Sequence, residues 1–363
     1  MILQMPTGSG KTRTAMEVIS NHLNSLEDGP RLVVWLANAK ELCEQAISCF
    51  AEVWEHVGRR DVWVHRVWGN YPKPDLSAPE PFAHFVVGSL QTFWKMIDTD
   101  KNAFWQLLKN TTLLIVDEAH IAVAPTYAKT VREISACSDC RILGLTATPG
   151  RSDEKESGML SDLFHGQIVQ LSDPENKWEN AVSYLRSKKV LSAVSYKPLV
   201  VDGGPALTNA EKKALVESLD YPEGLLKKIG RSHIRTAEVL AKLRPHLDAR
   251  SQVLLFAPSL ENSKFVTSML TFMGYTAAHV DGATAPSSRD FFIEQYTNGH
   301  VQVLCNFGVL ATGFDAPKTD VVCIARPTKS PVLYSQMIGR GLRGPAVGGT
   351  PSCTIIEVQD TFL

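Results

Sequence analysis

The stretch that most constrains the fold of this chain is Pro6-Thr7-Gly8-Ser9-Gly10-Lys11-Thr12, close to its first residue. Met1 to Met5 reads as a strand, Pro6 to Gly10 as a tight loop, and Lys11 onward as a helix whose first turn faces that loop. Glycines at 8 and 10 let the backbone wrap closely around phosphate oxygens, and a helix start offers unpaired N–H groups with a favourable dipole. The spacing predicts a phosphate cradle of Thr7, Gly8, Ser9 and Gly10. Lys11 reaches the β and γ phosphates of a nucleotide as a point charge, and the Thr12 hydroxyl holds Mg²⁺.

Short apolar, β-branched runs then recur with helical patterns between them: Leu32 to Leu36, Phe85 to Val87, Leu113 to Val116 and Ile142 to Leu145. The rhythm returns at Val253 to Ala257, Ala277 to Val280, Val301 to Cys305, Val321 to Ala325 and Thr354 to Val358. Strands apolar on both faces and separated by helices argue for mostly parallel sheets covered by helices on each side. At 363 residues the chain exceeds the roughly 250 at which a single core stops growing efficiently, so two α/β domains are expected. Residues 1–170 form the first and 251–363 the second. Between them, 171–250 is a connecting segment, too long for a bare linker, expected to fold onto the second domain. Within it, Thr208 and Glu211 have capping-box spacing before a helical stretch.

Composition narrows the partners. Lys and Arg total 37 against 38 Asp and Glu, so a net charge of -1 gives no global pull on a polyanion, and any nucleic-acid contact is local. Seven scattered cysteines fit a reducing compartment rather than a disulfide framework, and the chain is expected to be cytoplasmic. No run approaches the roughly 20 apolar residues that span a bilayer.

The buried run Leu113 to Val116 leads directly into Asp117-Glu118-Ala119-His120. A carboxylate at the carboxyl end of a parallel strand sits where such folds bind ligands. Asp117 is suited to the Mg²⁺ shell and Glu118 to polarising an attacking water; alternatively the two acids cap the next helix.

Met5 to Thr12, Asp117 to His120 and Thr146-Ala147-Thr148 together resemble motifs I, II and III of superfamily 2 helicases of the DEAH-lettered kind. The resemblance covers nearly the whole chain and implies two RecA-like P-loop domains using ATP and Mg²⁺. It gives Thr146 and Thr148 the role of linking hydrolysis to nucleic-acid binding, with His120 in the same polar network unless it is an ordinary cap histidine.

Ala37-Asn38 resembles the start of motif Ia, and Ser89, Gln91 and Thr92 fall where motif Ib would be, so these residues are expected near nucleic-acid phosphates if they are not simply helix caps. Phe93 and Trp94 either stack on a base or join the core. In the second half, Val253 to Ser259 resembles motif IV, placing Ser259 at the nucleic acid, with Asp281 to Thr284 and Arg289 after it. Gly308 to Pro317 resembles motif V, which puts Thr312 near nucleic acid and Gly313 and Asp315 near the nucleotide. Tyr334 to Arg343 matches the Q-x-x-G-R-x-x-R of motif VI. Arg340 and Arg343, three apart, are expected on one helix face with Gln336, neutralising the transferring phosphoryl group when an inter-domain cleft closes.

The wording of the second half is nearest to bacterial RadD-like and type III restriction-like helicases, which makes DNA the preferred partner over RNA. The family's upstream adenine-reading segment does not precede Met1, so an N-terminal shortening is expected, and accessory domains or protein partners would supply the pathway. Cys137 and Cys140 have metal-knuckle spacing but no second pair. Lys227, Lys228, Arg231 and Arg235 cluster either as a solvated helical face or as a DNA-tracking strip. Three functions follow as expectations: a helicase or translocase moving along a strand, the motor of a restriction or defence complex on duplex DNA, or a binding scaffold with weak or no ATPase.

Overall fold

The computed structural model describes residues 1–25, 31–72, 83–99, 102, 104, 111–136, 140–147, 154–175, 177–202, 205–218, 220–310, 316 and 318–361. The chain divides into two compact units, Met1–Ala181 and Val182–Leu363.

In the first unit, β1 (Ile2–Gln4) leads through the loop into α1 (Lys11–Asn24). There follow β2 (Arg31–Ala37), α2 (Lys40–Val57), β3 (Val62–Val67), β4 (Ala83–Ser89), α3 (Leu90–Thr99) and β5 (Thr111–Val116). A 3-10 turn at Ala119–Val123 precedes α4 (Pro125–Ser135), β6 (Arg141–Thr146), α5 (Glu154–Leu163) and β7 (Ile168–Gln170). All strand pairings are parallel, in the order β3-β4-β2-β5-β6-β1-β7. Side chains alternate along a strand, so each central strand feeds two cores. Leu32, Val34, Leu36, Leu114 and Val116 pack with Phe93, Phe104 and Val131 on one face. Val33, Trp35, Ala37, Leu113 and Ile115 pack with Ala15, Ile19, Ala46 and Phe50 on the other.

The second unit opens with α6 (Ala181–Ser187), which the unit boundary crosses after its first residue. It continues with β8 (Ala193–Tyr196), β9 (Leu199–Val201), α7 (Asn209–Glu217), α8 (Glu223–Gly230), α9 (His233–Asp248) and β10 (Val253–Phe256). Then come α10 (Leu260–Phe272), β11 (Ala277–Asp281), α11 (Pro286–Thr297), β12 (Val303–Phe307), β13 (Val321–Ile324), α12 (Pro331–Ile338) and β14 (Ser352–Asp360). The parallel order is β11-β12-β10-β13-β14-β8, with β9 also on β14. Val253, Leu255 and Ala257 pack against Val239, Leu243 and Val266, whereas Leu254 and Phe256 face Tyr296 and Met337. Both units are the parallel α/β layers that the apolar runs imply.

Four strands carried no clear signal. β3 mixes apolar with half-buried polar residues at a sheet edge, β7 and β8 are short and largely exposed, and β9 is only three residues long. The Thr208 capping box forms as its spacing implies: Thr208 Oγ1 accepts from Glu211 N at 3.2 Å, and Glu211 Oε2 accepts from Thr208 N at 2.8 Å. The basic cluster does not form one surface: Arg231 is exposed and Lys227 and Lys228 are partly so, whereas Arg235 is not. Arg235 is buried, its Nε and Nη2 bound to Asp360 at 2.6 and 3.0 Å, because the start of α9 packs under the end of β14. Lys227 and Lys228 are paired with Glu223 and Glu211. Among the described residues no helix is long and apolar enough to cross a membrane, and no group of three or more His, Cys, Asp and Glu could hold a metal. Cys137 lies outside the described residues, and Cys140 is half-buried.

Candidate nucleotide site and its partners

In the first unit the carboxyl ends of the central strands carry the chemistry. After β1 the chain turns tightly: Ser9 donates from N and Oγ to the Pro6 carbonyl at 3.2 and 2.6 Å. Gly8 and Gly10 both have positive φ, 80° and 91°, and Gly10 is the residue from which α1 starts. An L side chain would strain that conformation, so the loop depends on glycine there. No side chain caps the start of α1, which follows Thr7, Gly8 and Ser9 and has Thr12 in its first turn; a helix start of this kind is where an anion can bind. Lys11 Nζ donates to the carbonyls of Met5 at 3.1 Å and Pro6 at 3.4 Å, which folds the ammonium back over the loop.

Two strands away, β5 ends at Val116. Asp117 N donates to the Leu36 carbonyl at 2.8 Å, which carries the sheet ladder one residue past β5. Asp117 is 6% exposed. Burial, reinforced by the neighbouring Glu118, holds its carboxyl well above the usual carboxylate range, and Lys11 acts against that rise. Lys11 and Asp117 therefore share one electrostatic environment. Glu118 takes the left-handed conformation (φ 50°, ψ 52°), uncommon for a side-chain-bearing residue and found where backbone strain serves a site. The turn sets its Oε2 3.4 Å from His120 Nδ1, and that nitrogen lies 3.3 Å from Thr146 Oγ1 at the end of β6. His120 and Thr146 are both buried, so His120 belongs to this network rather than to an exposed cap. The approach of β6 to the turn relies on Gly144, where a Cβ would stand 2.9 Å from that of Ala119 and 2.7 Å from the Phe164 ring. Thr148 lies outside the described residues.

The donor set suits Mg²⁺. A buried carboxylate beside a second acid calls for positive charge beyond one lysine, and hydroxyl and carboxylate oxygens are the ligands that ion prefers. Thr12 and Asp117 are the residues that would hold it.

The residues expected at nucleic acid divide. Ala37 ends β2 and is buried, and Asn38 follows at the turn into α2 with its Oδ1 buried. Ser89 acts as a cap: its Oγ accepts from Thr92 N at 3.2 Å and lies 2.8 Å from Thr92 Oγ1, while Gln91 is exposed. Phe93 is core, packed over Gly88, and Trp94 lies under Lys129 Nζ, 5.2 Å from the ring centroid. Ser259 is 1% exposed, with its Oγ accepting from Asn262 N at 3.1 Å, so its hydroxyl serves the start of α10. Thr312, Gly313 and Asp315 lie outside the described residues. The chain approaches them through two left-handed residues, Gly308 (φ 70°) and Leu310 (φ 63°).

Around Gln336 the helical expectation needs correction. α12, capped by Ser330, ends at Ile338, and Gly339–Gly341 is a single 3-10 turn. Gly341 comes so close to Cys353 and Val322 that a Cβ would collide with both, so only glycine fits in that turn. Arg340 Nε donates to the Gln336 carbonyl at 3.3 Å, whereas Arg343 lies beyond the helix in an isolated antiparallel bridge with Leu191. Gln336 and Arg340 are thus linked by one turn, and Arg343 is held by other means. The segment that holds it, residues 189–192, carries no motif.

Two family profiles match this chain, one described as DEAD/DEAH box helicase over residues 1–156 and one as helicase conserved C-terminal domain over residues 235–344. The chain is 26% identical over 354 residues to the putative ATP-dependent helicase IRC3 of Saccharomyces cerevisiae, covering 94% of this chain and 46% of that protein. It thus spans about half the length of this relative. The DNA-bound type ISP restriction-modification enzyme LlaBIII shares the fold at TM-score 0.70 and 18% identity, over 99% of this chain and 26% of that one. The RNA-bound Dbp5 of S. cerevisiae shares it at TM-score 0.64 and 16% identity, over 99% and 79%. With both profiles matched, over residues 1–156 and 235–344, the chain belongs to the DEAD/DEAH box helicases of superfamily 2.

Proposed function

We propose that the protein is an ATP-dependent helicase or translocase that acts on nucleic acid, DNA in preference to RNA. The observation that carries this reading is the glycine loop after β1 with Lys11 folded over it, and, after β5, the buried Asp117 with Glu118 on a left-handed turn. Thr7, Gly8, Ser9 and Gly10 cradle the phosphates, and Lys11 neutralises the β and γ groups. Mg²⁺ on Thr12 and Asp117 would supply further positive charge to the phosphate oxygens. Glu118 accepts a proton from the water that attacks the γ phosphorus, the bond to the bridging oxygen breaks, and ADP leaves with its electron pair. Arg340 and Arg343 neutralise charge on the transferring group, and Gln336 orients the water or the γ phosphate. His120, Thr146 and Thr148 link hydrolysis to the strand. Ala37, Asn38, Ser89, Gln91, Thr92, Ser259 and Thr312 belong to segments that contact the backbone, directly or by shaping their turns, with Gly313 and Asp315 near the nucleotide. Such contacts to phosphates and sugars are tolerant of sequence.

The test is ATP hydrolysis measured with single-stranded DNA, duplex DNA and RNA. Stimulation by DNA above RNA is expected; equal turnover without any nucleic acid would overturn the motor reading. The likeness to the DNA-bound restriction-modification enzyme supports a second reading, translocation on duplex DNA without strand separation. Displacement of a third strand without displacement of a paired strand would favour it.

A further inference from the structure

Arg343 stands outside the helix that carries Gln336, yet its main chain is gripped on several sides by residues 189–192. Ser192 N donates to the Leu342 carbonyl at 2.9 Å, Gly344 N to the Val190 carbonyl at 2.9 Å, and Ala346 N to the Lys189 carbonyl at 3.0 Å. Ser192 Oγ lies 2.6 Å from the Arg343 carbonyl and 2.7 Å from the Thr350 carbonyl, and Thr350 N donates to the Arg343 carbonyl at 3.0 Å. Ser192 is 0% exposed. One hydroxyl proton therefore serves two carbonyls at the ends of the 343–350 turn, where solvent does not replace it. Nor can the turn readily reshape. A Cβ at Gly344 would collide with the Lys189 carbonyl, and one at Gly349 with the Arg343 carbonyl.

We infer that Ser192 is a positioning residue for Arg343: by tying together the carbonyls of Arg343 and Thr350 it sets the backbone from which the guanidinium is presented. This rests on the reading of Arg343 given above. A cation aimed at developing charge accelerates a reaction only if its place is set beforehand, and small displacements are costly. Ser192 touches no phosphate in this role and acts through the Arg343 main chain.

The experiment is steady-state, nucleic-acid-stimulated ATP hydrolysis by the full chain as S192A, S192C, R343A and the double variant S192A/R343A, with thermal melting of each. S192A is expected to lower kcat between about fivefold and about fiftyfold, with KM for ATP unchanged. In the R343A background the same change has no further effect. S192C, similar in size with a weak donor, falls between wild type and S192A. Wild-type kcat in S192A beside a slow R343A overturns the inference and leaves the Arg343 reading standing. Wild-type kcat in R343A overturns both. Equal slowing by S192A in both backgrounds means a general structural role and also overturns it. Should S192A fail to fold, S192C carries the comparison, and wild-type kcat there overturns the inference.

Discussion

His120 Nδ1 lies 3.3 Å from Thr146 Oγ1 and 3.4 Å from Glu118 Oε2, so a single ring nitrogen faces both the proposed base and the end of β6. A ring N–H serves one of these well at a time. That gives a physical route by which events at β6 reach the carboxylate, and it can be probed from either side.

Glu118→Gln keeps the shape of the side chain and removes its basicity. Turnover is expected to fall by at least about 100-fold while nucleotide still binds, as measured by single-turnover hydrolysis beside a fluorescent-nucleotide titration. Wild-type turnover would remove Glu118 from its role.

Thr146→Val preserves volume at a buried position and deletes the hydroxyl. The expected outcome is hydrolysis that persists without nucleic acid but is no longer stimulated by it. Full stimulation in this variant would show that the Thr146 hydroxyl carries no coupling.

Gly144→Ala inserts a methyl between Ala119 and the Phe164 ring, contacts of 2.9 and 2.7 Å that must give way. Overpacking of this kind costs about 1–3 kcal/mol, read from the urea midpoint. Because Ala119 follows Glu118, turnover is expected to drop even where the protein remains folded.

Asp360→Ala leaves the Arg235 guanidinium buried against the Ala325 carbonyl without its carboxylate. A loss of about 3–5 kcal/mol is expected by chemical denaturation, and replacing both residues with apolar ones should recover much of it.

Acid should weaken the first unit through His65 and His84, whose rings lie 5.3 Å apart with Nε2 of one 3.0 Å from Nδ1 of the other. Burial, then the neighbouring His84, pulls His65 down from 6.5 to about 4, and burial also lowers His84. Between those values the unfolded chain binds more protons than the folded one, so stability falls as pH drops from 6.5 towards about 4. Unfolding midpoints measured across that window should drop less steeply in His65→Phe.

The phosphate loop, the acids after β5 and the alternation of apolar runs were legible in the residues themselves because each is a local pattern. Glycines at 8 and 10, a lysine at a helix start and a buried strand ending in two carboxylates dictate their geometry within a few residues. The apolar strands likewise required parallel sheets covered on both faces, since such runs satisfy neither solvent nor a one-sided sheet. What the tertiary structure alone decided depends on contacts between distant segments. Arg343 stands outside its expected helix, in a bridge with Leu191 from a distant part of the chain. Arg235 left the surface because Asp360, at the far end of the chain, supplies a buried partner. Ser192, with no motif around it, became the tie across the Arg343 turn. Hydrogen bonds and close packing between residues more than a hundred positions apart leave no periodicity in the chain, and they set where the arginines stand.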